Sequence, residues 1–345
     1  MTTYIFNAAR KMRSPAYSSD SENMRAKSRR RAAIIAKNAK YALLFVILTA
    51  FSAALIARPE KYVSACAEGI ALWAQCVLPS LFPFMVICAI MVNTGLTEKL
   101  SSPLKKVCGA VKLPQAAAIC FLMSATSGYP AGSRTVSQFY SSGACTQEGC
   151  KKLAFLCSTS GPLFMTGTVG AGMFGDGAAG AKLFAAHIIS VAAVAIIISL
   201  AGKRCESSIP PSCRGKNVLY ESFYGSVSAA LTAGAFIAFF YTAAEIAHDF
   251  YILYPIERFL SIFTGENIAK AVASGLVEMT GGCAQLAACG EDLALPFAGF
   301  LITFGGACVL SQQLSYLTKC GVGSLKFILV KFIQAAACFI ILLFL

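Results

Sequence analysis

Long apolar runs separated by short polar connections form the main pattern of the chain from residue 41 onwards. A run of about 20 apolar residues is long enough for a helix to cross the hydrocarbon core of a bilayer. The runs that predict membrane helices are 41–57, 76–96, 153–174, 181–201, 226–247, 294–317 and 325–345. Two more apolar stretches, around 114–140 and 267–290, are each interrupted near the middle by glycine and polar residues.

The charges of the connections predict which side of the membrane each one occupies, because Lys and Arg accumulate in cytoplasmic loops. The connections that carry Lys or Arg, and that are therefore predicted to be cytoplasmic, are 98–112, 151–152, 203–216 and 319–326. The stretch 114–140 begins and ends next to such connections, so it must enter and leave on the cytoplasmic side. It is therefore predicted to be a re-entrant hairpin with SGYPAG, residues 127–132, at its tip.

Each membrane span moves the chain to the other side, and counting the spans from the cytoplasmic connections places 247–266 and 291–292 outside. The stretch 267–290 between them is therefore predicted to be a second hairpin, which enters from the opposite face. A span, a hairpin and two further spans then occur twice in opposite orientation. FLCSTSG at 155–161 and FLITFGG at 300–306 echo each other at matching places. Inverted repeats with interrupted helices are typical of transporters whose site lies at the repeat interface.

The predicted fold class is an all-α polytopic membrane protein with about seven transmembrane helices and two re-entrant hairpins, arranged as an inverted repeat with broken helices. Its predicted parts are a basic, disordered cytoplasmic tail, a first transmembrane anchor, a first half of the membrane domain and a second, inverted half, at 1–40, 41–58, 59–216 and 217–345. A cleaved signal peptide is the alternative for 41–57, although the long basic flank and the spans that follow favour an uncleaved anchor.

Composition agrees with a bilayer environment, since 57% of the residues are hydrophobic, 13% are charged and the mean hydropathy is +0.67. The net charge of +13 does not indicate nucleic-acid binding, because much of the Lys and Arg lies in the first 40 residues, as in a cytoplasmic flank. The 15 cysteines include no C-x-x-C pair and are interpreted as small packing residues. No metal site is predicted.

The tip of the first hairpin is a candidate binding site. Gly128, Pro130 and Gly132 interrupt the helix, and Ser127 supplies a hydroxyl group beside the interruption. A helix breaks at membrane depth only where protein or a watery cavity satisfies its backbone. Freed N–H groups at a helix start also suit an anionic or hydroxyl-rich ligand. A plain turn between two helices is the alternative.

Three other segments extend the candidate site. STSGPLFMTGTVG at 158–170 contains Pro162, for which a packing kink is the alternative, and GLVEMTGG at 275–282 and TFGGACVLSQQLS at 303–315 lie at matching places in the second half. Glu278 is the one ionisable residue between Lys270 and Glu291, so it is a candidate for contact with a ligand or a coupling cation, Na⁺ or H⁺. A structural hydrogen-bonded role is its alternative. The predicted substrate-binding residues are Ser127, Gly128, Tyr129, Gly132, Arg134, Ser160, Gly161, Glu278, Thr280, Gly281, Gly305, Gly306, Ser311 and Gln312.

GYPAGSR (128–134), SGPLFMTGTVGAGMFGD (160–176), VEMTGG (277–282) and FGGACVLSQQLS (304–315) together resemble the sporulation integral membrane proteins of spore-forming Firmicutes, the YlbJ-like family. That family is part of the nucleoside-recognition or Gate domain group, shared with concentrative nucleoside transporters and the membrane part of ferrous-iron transporters. The resemblance extends over roughly residues 60–345. It implies a polytopic membrane protein with a Gate domain that is made during sporulation.

The leading hypothesis is a transporter or solute-recognition protein of the cell membrane with a cytoplasmic N-terminus. Its expected partners are the lipid bilayer and a small polar solute, with a nucleoside-like molecule implied by the resemblance. The alternative is a non-transporting sporulation scaffold or complex component, and a homo-oligomer is compatible with either. A membrane enzyme lacks support, because the sequence contains no H-E-x-x-H motif and no nucleophile with an obvious partner base. Neither catalytic residues nor a cofactor beyond a coupling cation are predicted.

Overall fold

The structure is a computed structural model that describes residues 38–39, 41–96, 105–205 and 217–345. Most of the predicted basic tail, 1–40, therefore lies outside the described residues. The first helix, α1, is Tyr41–Ala57. The helices and cavities described below lie in the compact unit of residues 60–345, apart from Pro59 at the start of α2.

The described residues of the first half of the compact unit form seven helices. They are α2 (Pro59–Asn93), α3 (Lys105–Ala110), α4 (Ala117–Ser127), α5 (Ala131–Ser141), α6 (Gln147–Leu156), α7 (Phe164–Met173) and α8 (Gly177–Ala201). Helix α2 has one π-type turn at Trp73–Val77, and α7 has wide π-type turns throughout. Helix α2 starts well before the predicted position 76. Its first turns contain the charged residues Glu60, Lys61 and Glu68, so they do not form part of an apolar run and were not included in the predicted span.

The second half repeats the order of the first. Its helices are α9 (Val218–Asp249), α10 (Tyr254–Leu260), α11 (Glu266–Val277), α12 (Met279–Cys289), α13 (Ala294–Phe304), α14 (Gly306–Leu317) and α15 (Ser324–Leu343). Among the described residues, both halves have in the same order a long helix, a short connecting helix, a pair of short helices, a second such pair and a final long helix, and the second half has in addition a 3-10 turn at Thr318–Cys320. This repeated order agrees with the predicted internal repeat.

Within the described ranges, five helical segments are long and apolar enough to cross a membrane by length and composition. They are Pro59–Asn93, Gly177–Ala201, Val218–Asp249, Ala294–Cys320 and Ser324–Leu343. The all-helical membrane fold is thus confirmed. The other two predicted spans differ from these, since α1 is a shorter apolar helix and the stretch 153–174 is divided between α6 and α7.

Two of the helix pairs fold back on themselves, and we call α4–α5 the first hairpin and α11–α12 the second hairpin. The turn of the first hairpin uses Gly128 at φ +71°, a conformation that glycine adopts without steric cost. The arms of the second hairpin touch at Gly275 and Gly282, where a Cβ on Gly282 would overlap the Gly275 backbone. Both interruptions coincide with the glycine-rich positions predicted from the sequence.

The remaining two pairs are α6–α7 and α13–α14, which we call the first and second broken spans. Residues 157–161 form a non-helical segment between α6 and α7. Gly305 at φ +93° and Gly306 at φ +58° separate α13 from α14. The two echoing sequences, 155–161 and 300–306, therefore lie at the two breaks.

Candidate functional site

Tyr129, at the tip of the first hairpin, contacts the second broken span. Its hydroxyl group donates a hydrogen bond to the Ile302 carbonyl oxygen at 3.2 Å. The Ile302 carbonyl lies in the last turn of α13, where the break at Gly305 removes the usual helical N–H partners. The first hairpin therefore satisfies a carbonyl group that the break in the other half leaves open.

Lys331, on α15, is fully buried beside the same tyrosine. Its Nζ donates to the Ser158 carbonyl oxygen at 2.9 Å and to the Tyr129 hydroxyl oxygen at 3.2 Å. Ser158 lies just beyond the C-terminal end of α6, where a cation interacts favourably with the helix dipole. Lys331 is not among the residues predicted from the sequence, although a lysine inside an apolar span indicates a candidate functional residue.

His187 joins the two breaks through both ring nitrogens. Its Nε2 accepts a hydrogen bond from the Ser160 backbone N–H at 2.9 Å, and its Nδ1 lies 2.9 Å from the Thr303 hydroxyl oxygen. Because Nε2 accepts, this ring is neutral, with its proton on Nδ1, from which it donates to Thr303. His187 thus bonds the first broken span to the second.

Two buried glutamines, also missed from the sequence, complete this network. The Gln313 Oε1 accepts from the Ser133 hydroxyl at 3.2 Å and from the Ser158 hydroxyl. The Gln334 Nε2 donates to the Phe155 carbonyl oxygen at 2.8 Å, in the last turn of α6. Side chains of one half therefore satisfy backbone groups at the break of the other half, as the absence of water in a bilayer requires.

Glu278 caps the second arm of the second hairpin. One carboxylate oxygen accepts from the Thr280 N–H at 3.0 Å and the other from the Gly281 N–H at 2.7 Å. These are the first N–H groups of α12, which have no partner inside the helix, and a negative charge at this end is favoured by the helix dipole. The structural hydrogen-bonded role of Glu278 is thus present, and a contact with ligand or cation stays a prediction.

The two hairpins and the two broken spans all contribute to the wall of one small central cavity of about 20 Å³, which has room for about one water molecule. Its polar lining comes from both hairpins and both broken spans, namely Tyr129, Ser160, Glu278, Thr280 and Gln312. Apolar side chains of α2, α7, α9, α12 and α14 complete the wall. Within the described residues, the Gln312 side-chain nitrogen donates one hydrogen bond, to the Cys308 Sγ at 3.4 Å.

A larger cavity of about 350 Å³, which we call the vestibule, lies between α2, the first hairpin and the first turns of α9. Ser127 and Arg134 of the hairpin contribute to its lining, together with Asn93 and Glu221. The Arg134 guanidinium donates to the Gly225 carbonyl oxygen, and a Cβ on Gly225 would collide with it. The vestibule has the volume of a small-molecule site, which begins at about 300 Å³.

A third, narrow cavity, which we call the outer crevice, lies on the other side of Glu278. It is lined by Tyr241 and Glu245 of α9 and by Gly281 of the second hairpin. The vestibule, central cavity and outer crevice therefore follow one another along α9, from its first turns through Ala233 to Glu245. Twenty-four residues of helix, from position 221 to position 245, extend about 36 Å, which is comparable to the thickness of a bilayer.

The structure thus brings together part of the predicted site. Five of the predicted residues line the central cavity, two line the vestibule, and Gly281 lines the outer crevice. The remaining ones lie outside these linings, namely Gly128, Gly132, Gly161, Gly305, Gly306 and Ser311. Most of these glycines allow close packing, since a Cβ on Gly128 would lie 2.8 Å from the Gly161 nitrogen and one on Gly306 would lie 2.7 Å from the Gly275 oxygen.

Comparison with known proteins agrees with this architecture. Residues 76–204 match the family model described as Gate, nucleoside recognition. The chain is 24% identical over 340 residues to the sporulation integral membrane protein YlbJ of Bacillus subtilis, an alignment that covers 88% of this chain and 81% of that protein. No solved structure matches the chain. The predicted resemblance is confirmed: the chain is a helical membrane protein whose residues 76–204 are similar to the Gate domain, and most of its length is similar to a sporulation integral membrane protein.

Proposed function

We propose that this protein recognises a small polar solute at the central cavity and passes it across the membrane. One observation carries the proposal: each of the two hairpins and two broken spans contributes a polar residue to the same cavity. Broken helices place backbone and side-chain polar groups at membrane depth, which is costly unless they surround a polar site. This convergence is what a transport site at a repeat interface requires.

The proposed topology has seven membrane spans and two re-entrant hairpins, with the N-terminus in the cytoplasm and the two halves inverted. The repeated order of helices supports it, and so does the row of three cavities along α9. In this topology the vestibule opens towards the cytoplasm and the outer crevice towards the other side. The central cavity is then closed on both sides.

The lining of the central cavity suits a neutral solute with several hydrogen-bonding groups. Ser160 and Thr280 offer hydroxyl groups and Gln312 offers an amide group, whereas the Glu278 carboxylate disfavours an anion. A nucleoside has this chemistry, and the match to a nucleoside-recognition family supports the same class. Because the cavity has room for about one water molecule, entry of such a solute requires a hairpin to move.

A binding and uptake assay tests this function. Purified protein in liposomes is screened with labelled nucleosides and other small neutral polar solutes, beside a Gln312→Ala variant that removes a cavity-lining amide. We expect saturable uptake by the unmodified protein and at least tenfold weaker binding by Gln312→Ala. Gln115→Ala is the matched control, because Gln115 is exposed in the connection before α4. No uptake above empty liposomes for any solute would contradict the proposal.

A sporulation scaffold is the second candidate, and a specific observation favours it. The polar groups at the breaks largely bond to one another, for example Tyr129 to Ile302 and His187 to Thr303, so they stabilise the fold without a ligand. The name of the Bacillus subtilis relative supports a role in sporulation under either proposal. Normal spore formation by a strain whose only copy carries Gln312→Ala, when that variant is shown to bind no solute, would favour the scaffold.

A further inference from the structure

Lys331 is a buried basic side chain without an acidic partner. It has no exposed surface, and none of the ion pairs among the described residues includes it. An isolated charge in a low-dielectric interior is costly unless hydrogen-bond acceptors or helix dipoles compensate it. The surroundings of its Nζ therefore explain why a lysine is placed here.

Oxygen atoms from two elements face the Lys331 Nζ. The Ser158 carbonyl oxygen, in the non-helical segment of the first broken span, lies at 2.9 Å. The Tyr129 hydroxyl oxygen lies at 3.2 Å and has its lone pair free, because its proton is donated to Ile302. The Nζ lies at the hydroxyl end of the Tyr129 ring, 5.4 Å from the ring centre, so the hydroxyl oxygen is the part of Tyr129 that it contacts.

The same position lies near the negative ends of two half-helices. Helix α6 ends at Leu156, two residues before Ser158. Helix α13 ends at Phe304, and the Ile302 carbonyl oxygen in its last turn accepts the hydrogen bond from the Tyr129 hydroxyl. Carbonyl ends of half-helices favour a cation. In transporters built from broken helices, unwound carbonyl groups of this kind hold the coupling alkali cation.

We propose that the Lys331 ammonium group is a resident cation that fills this position, so that the protein binds no Na⁺ between the first hairpin and the first broken span. The consequence for solute recognition rests on the function proposed above: recognition then needs no alkali cation at this position. A tethered ammonium cannot leave with the solute, so Glu278 is left as the candidate contact for a coupling cation.

A stability assay that needs no solute tests the resident cation directly. Thermal unfolding of the purified full-length protein is measured in NaCl and in choline chloride at constant ionic strength. We expect equal midpoints for the unmodified protein. Lys331→Ala leaves a space lined by the Ser158 and Tyr129 oxygens, and we expect its midpoint to rise by about 2–4 °C or more at saturating Na⁺.

Two further variants complete the experiment. Lys331→Met fills the space without a charge, so we expect a lowered midpoint that Na⁺ does not restore. Lys182→Ala is the matched control, because Lys182 is exposed near the start of α8 and bonds only the Leu345 carbonyl oxygen among the described residues. Its midpoint is expected to be the same in both salts.

The outcomes separate this inference from the proposed function. A saturable Na⁺ effect on the unmodified protein that persists in Glu278→Gln overturns the resident cation, whatever Lys331→Ala does. An effect that Glu278→Gln abolishes places Na⁺ at Glu278 and leaves the resident cation in place. A folded Lys331→Ala variant that ignores Na⁺ overturns it as well. If Lys331→Ala does not fold, the comparison of salts on the unmodified protein and on Lys331→Met decides. Failure of every solute to bind, with the expected salt responses, contradicts transport and leaves the resident cation in place.

Discussion

Replacing Glu278 by glutamine tests whether the buried carboxylate holds the second hairpin together. Each carboxylate oxygen accepts one N–H group at the start of α12, from Thr280 and from Gly281. A glutamine can accept only one of them and presents its own NH₂ group to the other. The change therefore leaves one buried N–H without an acceptor and removes a negative charge from the positive end of the helix.

The expected cost follows from these two losses. A buried donor left without a partner costs about 1–3 kcal/mol. The lost charge–dipole interaction adds up to about 2 kcal/mol in a buried geometry, and part of this is offset because the neutral side chain is easier to bury. We expect Glu278→Gln to lower the free energy of unfolding by about 1–3 kcal/mol, a factor of roughly 5–150 in the folding equilibrium.

Fluorescence of the single tryptophan provides the assay. Trp73 packs against Gly234 of α9, so its emission reports on the packing of the compact unit during denaturant or thermal unfolding in detergent. Asp176→Asn is the matched control. Asp176 is an exposed acid that caps α8 by accepting from the Ala178 N–H at 2.8 Å, and asparagine caps equally well. Equal stability of the two variants would refute the capping argument.

Three other changes give further predictions. Gly132→Ala pushes a methyl group into the Cys157 carbonyl of the first broken span and should lower the free energy of unfolding by about 3 kcal/mol. Gly177→Ala, which has no atom near the added carbon, should be neutral or stabilising in the same unfolding assay. Tyr129→Phe removes a hydroxyl group that both donates and accepts, and should lower the free energy of unfolding by about 1–3 kcal/mol. Lys105→Cys and Lys151→Cys, in a cysteine-depleted background, should both react with an impermeant thiol reagent from the cytoplasmic side only, and labelling from opposite sides would turn the first hairpin into a full span.

The interruptions of the helices were predictable because glycine and proline act locally. Gly128 and Gly305 adopt positive φ angles that other residues avoid, so a glycine inside an apolar run marks a break in the sequence itself. The charge parity of the connections then distinguished a hairpin from a span. In the structure α4–α5 folds back on itself, whereas α13 and α14 follow one another as one apolar segment, and which of these elements crosses the membrane stays a prediction.

The partners of the breaks could not be predicted from the sequence. Lys331 and Gln334 are single polar residues in the long apolar run 325–345, and an average over a membrane span conceals them. The argument that identified Glu278, an ionisable residue inside a membrane element, applies equally to Lys331. Its partner Ser158 lies 173 residues away in the chain, so the pairing depends on the tertiary fold and leaves no local signal.

The two hairpins are held in different ways, and this difference bears on how the central cavity opens. Side chains of the first hairpin bond to other elements, with Ser124 donating to the Cys157 carbonyl at 2.7 Å and Tyr129 donating to Ile302. In the part of the chain that the structure describes, the side-chain hydrogen bonds of the second hairpin stay within it, including both bonds of Glu278. In the function proposed above, opening towards the vestibule would break buried hydrogen bonds, whereas opening towards the outer crevice would mainly separate packed surfaces. A moving second hairpin would carry its own cap with it, because the Glu278 carboxylate and the N–H groups that it accepts belong to the same element.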